Sequence, residues 1–264
     1  MNKLKNNKKG LDYAVLLALV ILPLSLFFLV FRINGLIGET RYIGPTQFSM
    51  LNDAQEAEEI MLYIDQAAKN SIDLSLFQLA SNGMFYDSSE CGNYHLYPIW
   101  QTKDKECYPD IYSNFSSFFK DEFSKYLINY TRIKLPKDNY VVITSKTGVT
   151  GYPIKDLSLD INNKQSKIGS YLFSPYFTQK ISFGDIEKSI EISKKIFNRC
   201  VDANETETCI DTEMISNNIA DKWSFEFDNY IALFNVTTEK TVLVYGNNKL
   251  EQKELIIMFG LDFS

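Results

Sequence analysis

The chain has 264 residues, with 27 Lys and Arg against 33 Asp and Glu, a formal net charge of -6 and one histidine. That balance argues against a nucleic-acid binder, which needs a basic face to meet phosphates. A single imidazole excludes zinc sites built from two or three histidines, and 45% hydrophobic with 23% charged residues excludes wholesale disorder.

The first element is apolar. Tyr13 to Phe31 reads YAVLLALVILPLSLFFLVF, with no charge and with Ser25 as its strongly polar side chain. At 1.5 Å per residue such a helix is about 28 Å long, close to the hydrocarbon thickness of a bilayer. Lys3, Lys5, Lys8 and Lys9 precede it, and Arg32 alone follows closely. The positive-inside rule then puts the N-terminus in the cytoplasm and everything after about Ile33 outside. The expected organisation is a basic stub at 1–12, a signal anchor at 13–32, a linker at 33–45 and an extracytoplasmic domain at 46–264. A cleaved signal peptide fits less well, because its apolar region is shorter and ends at a small-x-small site. The lysine-rich leader ending at Gly10 also resembles a type IV prepilin leader, although Val15 stands where that pattern carries a Glu and Asp12 is the acid nearby.

Five of the basic residues and one acid lie in the first 32 positions, which leaves 22 basic and 32 acidic residues, a charge of -10, for the outer part. An acidic domain facing an anionic leaflet is repelled from it, which argues against flat adsorption on the membrane. Cys91, Cys107, Cys200 and Cys209 all fall in this part. An even count outside the cytoplasm reads as disulfides. Of the three connectivities, 91–107 with 200–209 closes the shortest loops. A zinc site of four thiolates is the rival, but there is no C-x2-C knuckle.

The linker carries Gly35, Gly38, Gly44 and Pro45 as breakers. A long helix is predicted from Thr46 to Asn82. Met50, Ala54, Ala57, Met61, Ile64 and Ala68 form a stripe that Ile60, Ala67 and Leu74 widen, and Asn82-Gly83 is its stop. The stripe serves either packing on its own domain or an oligomer seam. Next comes CGNYHLYPIWQTKDKEC, whose Tyr94, His95, Tyr97 and Trp100 form a candidate binding rim or, alternatively, a small core beneath the loop. Asp110 is the expected cap of a second helix with Ile111, Phe115, Phe118, Phe119, Tyr126, Leu127 and Tyr130 on one face. Short strands are predicted in YVVITS, LSLDI, Tyr171–Phe173 and Ile181–Phe183, with a turn at Gly151-Tyr152-Pro153. Helices follow at Asp185–Arg199 and Asp211–Trp223. The last forty residues read as an antiparallel meander of YIALFNV, TVLVY and ELIIMFGLDF, with Gly246-Asn247-Asn248 as a turn. The fold class is α+β: a transmembrane helix, then a domain with a long helix, several shorter helices and an antiparallel sheet.

Tests for chemistry exclude more than they find. His95 is the lone imidazole and no G-x-S-x-G accompanies it, so a histidine-based triad has no supporting motif. Phosphate-binding loops are absent. Asp202-x-Asn204-x-Thr206 with Thr208 and Glu213 matches calcium-loop spacing in part, but Glu207 occupies the position that needs glycine. Paired carboxylates for hydrolysis cannot be picked out by spacing. No metal and no cofactor is expected. Sequons stand at Asn114, Asn129, Asn204 and Asn235, in a number that the Asn, Ser and Thr content gives by chance; Asn204, in the second cysteine loop, is the best acceptor.

The segments IGPTQFSMLNDAQEAEEIMLYIDQAAK and CGNYHLYPIW, the Tyr-Pro after Cys107 and the closing IIMFGLDFS resemble single-pass exported proteins of small-genome archaea, a family of uncharacterised activity. In some members a similar module precedes a D-alanyl-D-alanine carboxypeptidase-type domain. That peptidase's zinc elements are absent, so the resemblance implies a cell-envelope module and carries no catalytic residue. The expected function is non-catalytic binding or scaffolding of an envelope partner. A pilin-like subunit processed near Gly10 and an envelope hydrolase using carboxylates are the alternatives.

Overall fold

The structure is a computed structural model in which the backbone is described for residues 8–163, 166–246 and 249–264. Side chains are described for 21–30, 32, 47–161, 167, 169–244 and 249–264. Most of the basic stub, with Lys3 and Lys5, therefore falls outside the described residues, as do the side chains at Gly10, Asp12 and Val15. In chain order the elements are α1 (Lys8–Ser81), β1 (Asn93–Tyr94), β2 (Tyr97–Gln101), α2 (Ile111–Asn129), β3 (Tyr140–Ser145), β4 (Gly148–Pro153), β5 (Leu157–Asn163), β6 (Ser166–Phe173), β7 (Phe177–Lys180), α3 (Gly184–Cys200), α4 (Thr206–Ser216), β8 (Trp223–Asp228), β9 (Ile231–Gly246) and β10 (Lys249–Asp262). The class is α+β, as expected.

The chain divides into two compact units. The first runs to Ala57 and includes Ser158–Leu172, so it holds the early part of α1 and most of the β5–β6 hairpin. In that hairpin Lys167 and Asp160 pair at 2.5 Å, and Leu159 and Ile161 are buried. The linker expected at 33–45 is helical backbone within α1. Gly and Pro cost about 1 and 3 kcal/mol in a helix interior, but extending an existing helix avoids the larger cost of nucleating a new one. Among the described residues no helix is long and apolar enough to cross a membrane. Of the span expected at 13–31, the side chains of 21–30 are described, and all ten residues are exposed.

The second unit comprises Glu58–Leu157 and Phe173–Ser264. Its centre is a five-stranded sheet in the order β1-β2-β10-β9-β8. The meander β8–β9–β10 is antiparallel, but β2 joins β10 in parallel, so the sheet is mixed rather than antiparallel throughout. Strand β2 enters from the loop after α1 and meets β10 only after the chain has built the rest of the unit. β8 occupies WSFEFD, where a helix was predicted to end; α4 stops at Ser216 instead. Alternating Trp223, Phe225 and Phe227 carry period 2, which fits a half-buried strand.

One face of this sheet holds a ladder of four rings, one each from β2, β10, β9 and β8. Trp100 stacks on Phe259 at 3.8 Å and 6° between planes; Phe259 stacks on Phe234 at 5.1 Å, and Phe234 on Phe225 at 5.7 Å. Trp223 meets Phe259 and Phe234 edge-on, both at 5.8 Å. Offset and edge-to-face pairs like these stabilise beyond simple area burial.

Helix α1 enters the unit with Ile60, Ile64, Ala67, Ala68, Ile72, Leu76 and Leu79 buried, whereas Met50 and Met61 of the expected stripe are exposed. It ends at the predicted stop. Gly83 adopts φ +57° and Met84 φ 69°, and the Met84 N–H donates to the Leu79 carbonyl at 2.7 Å. A Cβ at Gly83 would lie 2.5 Å from the Met258 carbonyl oxygen, so the turn needs glycine for space as well as for conformation. Helix α2 begins at Asp110, whose carboxylate accepts from the Ser113 N–H, and buries Ile111, Phe115, Phe119, Phe123 and Leu127 at four-residue spacing. Phe119 and Phe123 meet Phe177 of the three-stranded sheet β3-β4-β7.

Candidate functional site

The expected rim residues all lie on the β1–β2 hairpin of the five-stranded sheet, whose tip meets that of the β8–β9 hairpin. Cys91 and Cys107 form a disulfide across the base of the first, with Cα atoms 5.9 Å apart. Cys200–Cys209 is the second disulfide. By loop-closure entropy each contributes about 2–3 kcal/mol. The Ile99 N–H donates to the Gly92 carbonyl and the Cys107 N–H to the Trp100 carbonyl, so this segment is a pinned β1–β2 hairpin and not the free loop that its composition suggests.

Its tip is His95-Leu96, with His95 at φ 54° and both residues exposed. The tip of β8–β9 is Asn229-Tyr230, at φ 48° and 66°. Paired positive φ values define the turn whose twist suits a two-residue hairpin, and Asn at its first position is favoured there. The Tyr94 hydroxyl donates to Asp228 Oδ2 at 2.6 Å and accepts from Asn229 Nδ2 at 3.2 Å, which ties the two tips together. The Tyr97 hydroxyl donates to Asn235 Oδ1 at 3.2 Å. His95 meets the Tyr94 ring edge-on at 4.5 Å.

Trp100 does not join this rim. It is 0% exposed, and its indole N–H donates to the Gly83 carbonyl at 2.9 Å. Of the two uses considered for the loop aromatics, Trp100 serves the core, while Tyr94, His95 and Tyr97 stay at the surface. The chain's signal for the second hairpin is period-2 WSFEF followed by Asp-Asn-Tyr; the helix expected at Asp211–Trp223 takes in its first residue, Trp223, and hides that alternation.

Two of the four sequon asparagines are engaged. Asn114 donates through Nδ2 to the Met84 carbonyl at 3.0 Å, and Asn235 accepts from Tyr97. Asn204 and Asn129 are exposed. The calcium-like segment 202–213 runs through the bridge Cys200–Cys209 into α4, where Glu213 pairs with Arg199 at 2.8 Å.

Acids do gather elsewhere. A cleft of about 730 Å³ is lined by Asp87, Asp121, Glu122 and Asp138. Tyr86 donates to Asp121 at 2.5 Å, and that bond raises the phenol's pKa. Glu122 is buried and paired with Lys125 at 2.5 Å. Each of these two carboxylates already has a donor of its own, which is the arrangement of a structural pair and not of a free acid and base. Among the described residues no group of three His, Cys, Asp or Glu is disposed to hold a metal.

A second, shallower cleft of about 570 Å³ is lined by Lys146, Lys180, Lys240, Asp185 and Glu239. Lys222 pairs with Glu239 at 2.5 Å, and Lys146 lies 3.4 Å from Glu187. Burial lowers the Lys240 pKa, opposed by Asp73 and Asp185, and burial likewise raises the Asp73 carboxyl against the Leu243 N–H, Lys240 and Lys69. Tyr112 donates to Glu187 at 2.5 Å; burial and that contact push the phenol up to about 12, and the contact holds the Glu187 carboxyl low against its own desolvation.

Comparison with protein-family models, with curated proteins and with solved structures gives no match.

Proposed function

We propose that the protein is a single-pass membrane protein, anchored by its N-terminal helix with residues after about Ile33 outside the cytoplasm, whose outer part binds or scaffolds an envelope partner without catalysis. The observation that carries the reading is the run Ile21–Val30. Eight of its ten residues are large and apolar, and all eight are exposed around the helix, so no side of it is polar enough for water. An all-round apolar helix is covered by lipid or by other helices. The two disulfides support an oxidising side of the membrane for the rest of the chain. The rim of Tyr94, His95, Tyr97, Asn229 and Tyr230 supports binding, because its aromatic surface is held on two hydrogen-bonded hairpins.

The test is fractionation with protease access. A tag after Ser264 should resist alkaline extraction from membranes and be removed by protease added to intact cells. Release of the full chain by alkali, or protection of the tag in intact cells, would overturn the placement.

A second reading, a pilin-like subunit processed near Gly10, is favoured by the continuity of α1 from Lys8 to Ser81. A helix of that kind would be covered by copies of itself. An intact mass beginning at Met1 removes this reading.

A further inference from the structure

We propose that the outer face of the β3-β4-β7 sheet, together with the cleft at its end, is a contact surface for anionic lipid headgroups; this rests on the membrane anchoring proposed above. The antiparallel register sets Val141 opposite Tyr152 and Ile143 opposite Thr150, so these side chains share one face. Val141, Ile143 and Tyr152 are 51–56% exposed, whereas Val149 and Phe177, on the inner face, are buried. The Ile154 N–H donates to the Asn139 carbonyl at 2.7 Å, which carries the same face one step further.

Ile154 then borders a cleft of about 630 Å³ whose other walls include Ile128, Leu135 and Leu157. Ile154 is 58% exposed and Ile128 is 61% exposed. Five large, half-exposed apolar side chains thus follow one another from Ile143 through Val141, Tyr152 and Ile154 to Ile128. Together they reach the scale of several hundred Å² at which apolar patches on soluble proteins mark contact surfaces.

Lysines outnumber acids around this strip. Lys134, Lys137 and Lys155 ring the cleft, with Asp138 and Asp156 between them. Lys180, opposite Gly148, stands at the other end of the same face. The local sign is therefore opposite to that of the whole chain, whose net charge is -6. Lys146, in the β3–β4 turn, faces Glu187 and is not counted. An apolar strip with a lysine rim is the chemistry of an interfacial membrane contact: the apolar side chains enter the headgroup–acyl boundary and the ammonium groups meet the phosphates. The average charge of the outer part, which argues for repulsion from a leaflet, conceals this face.

The test uses the full chain in lipid nanodiscs of phosphatidylcholine, with and without phosphatidylglycerol, read by hydrogen exchange over residues 128–157. Slower exchange at the β3 edge and the 134–139 loop is expected in the anionic discs only, and it should fade at high salt. Each lysine near the surface changes the contact constant about fivefold, so Lys134→Gln, Lys137→Gln and Lys155→Gln combined should abolish the slowing. Ile143→Glu and Ile154→Glu should do the same while leaving exchange in α2 unchanged, which confirms that the fold is intact. Equal exchange in both lipids overturns the proposal, as does slowing that survives the lysine variant. Slowing that follows the number of chains per disc also overturns it and indicates a second copy as the occupant. Co-purification with the discs is read first and reports on the anchor alone. If the chain does not stay with them, the anchoring reading fails, and the same exchange comparison with added vesicles of the two compositions still decides the surface.

Discussion

Trp100 separates a core from a binding rim, and its loss has a calculable size. The ring is fully buried, stacked 3.8 Å from Phe259, and donates its N–H to the Gly83 carbonyl at 2.9 Å. Trp100→Ala removes the first rung of the four-ring ladder. Truncating a buried aromatic to alanine costs about 3–5 kcal/mol, and leaving the Gly83 carbonyl without its donor adds roughly 1 kcal/mol. That is a large share of the 5–15 kcal/mol that holds a typical domain, and for a unit of this size it corresponds to a fall of roughly 10 °C or more in melting temperature. Trp100→Phe keeps a stacked ring and loses the donor, so its cost should be about 1–2 kcal/mol. Both are read by denaturant titration of the solubilised full chain, followed by circular dichroism, with Trp223 fluorescence as a second probe. A Trp100→Ala loss below about 1 kcal/mol would refute the burial, the stacking and the core assignment together.

Gly83→Ala should destabilise by about 2 kcal/mol or more, from a left-handed conformation and a Cβ placed against the Met258 carbonyl; a melt unchanged from wild type would show that the turn relaxes freely. Replacing Cys200 and Cys209 together by alanine should lower stability by about 2–3 kcal/mol, checked by denaturant midpoint, with no change in wild-type stability on adding reductant counting against the bond. Burial raises the Asp73 carboxyl, so in the pH range just above the ordinary carboxylate value the folded chain binds more protons than the unfolded chain. Its unfavourable contribution at neutral pH should fade as pH falls through the range just above the ordinary carboxylate value, and Asp73→Asn should flatten that part of the stability–pH profile. In a host with N-glycosylation machinery, Asn204→Gln and Asn129→Gln should each reduce the apparent mass on a gel, while Asn114→Gln and Asn235→Gln should leave it unchanged.

The legible parts of the fold were those whose signal is local. Asp110 as a cap, Asn82-Gly83 as a stop and the two cysteine pairs need only nearby residues, and each is found as expected. The failures share a different cause. Tyr-Pro-Ile-Trp-Gln reads as loop because its proline and its polar neighbours hide the alternation, yet it is strand β2. What makes it a strand is a parallel pairing with residues some 160 positions later, where Gly260 leaves room for Ile99: a Cβ there would lie 2.6 Å from the Ile99 side chain. Local composition cannot carry that information. The same holds for Trp223, which apolar spacing assigned to a helix but which packs edge-on against Phe234 and Phe259.

The site followed the same division. Aromatic residues concentrated between Cys91 and Cys107 were visible, but not which of them face inward. In a strand the side chains alternate, and Tyr97, Ile99 and Gln101 share one face while Pro98 and Trp100 share the other. Once the segment is β2, parity alone sends Trp100 to the ring ladder and Tyr97 towards Asn235. Tyr94, paired across the hairpin with Tyr97, must then lie on the Tyr97 face, which is where Asp228 accepts from its hydroxyl and Asn229 donates to it. The rim is thus two tyrosines, a histidine and the neighbouring β8–β9 tip, fixed by strand register rather than by any spacing in the chain. Moving β2 by one residue would exchange the buried indole for Tyr97 and dismantle the core and the rim at once.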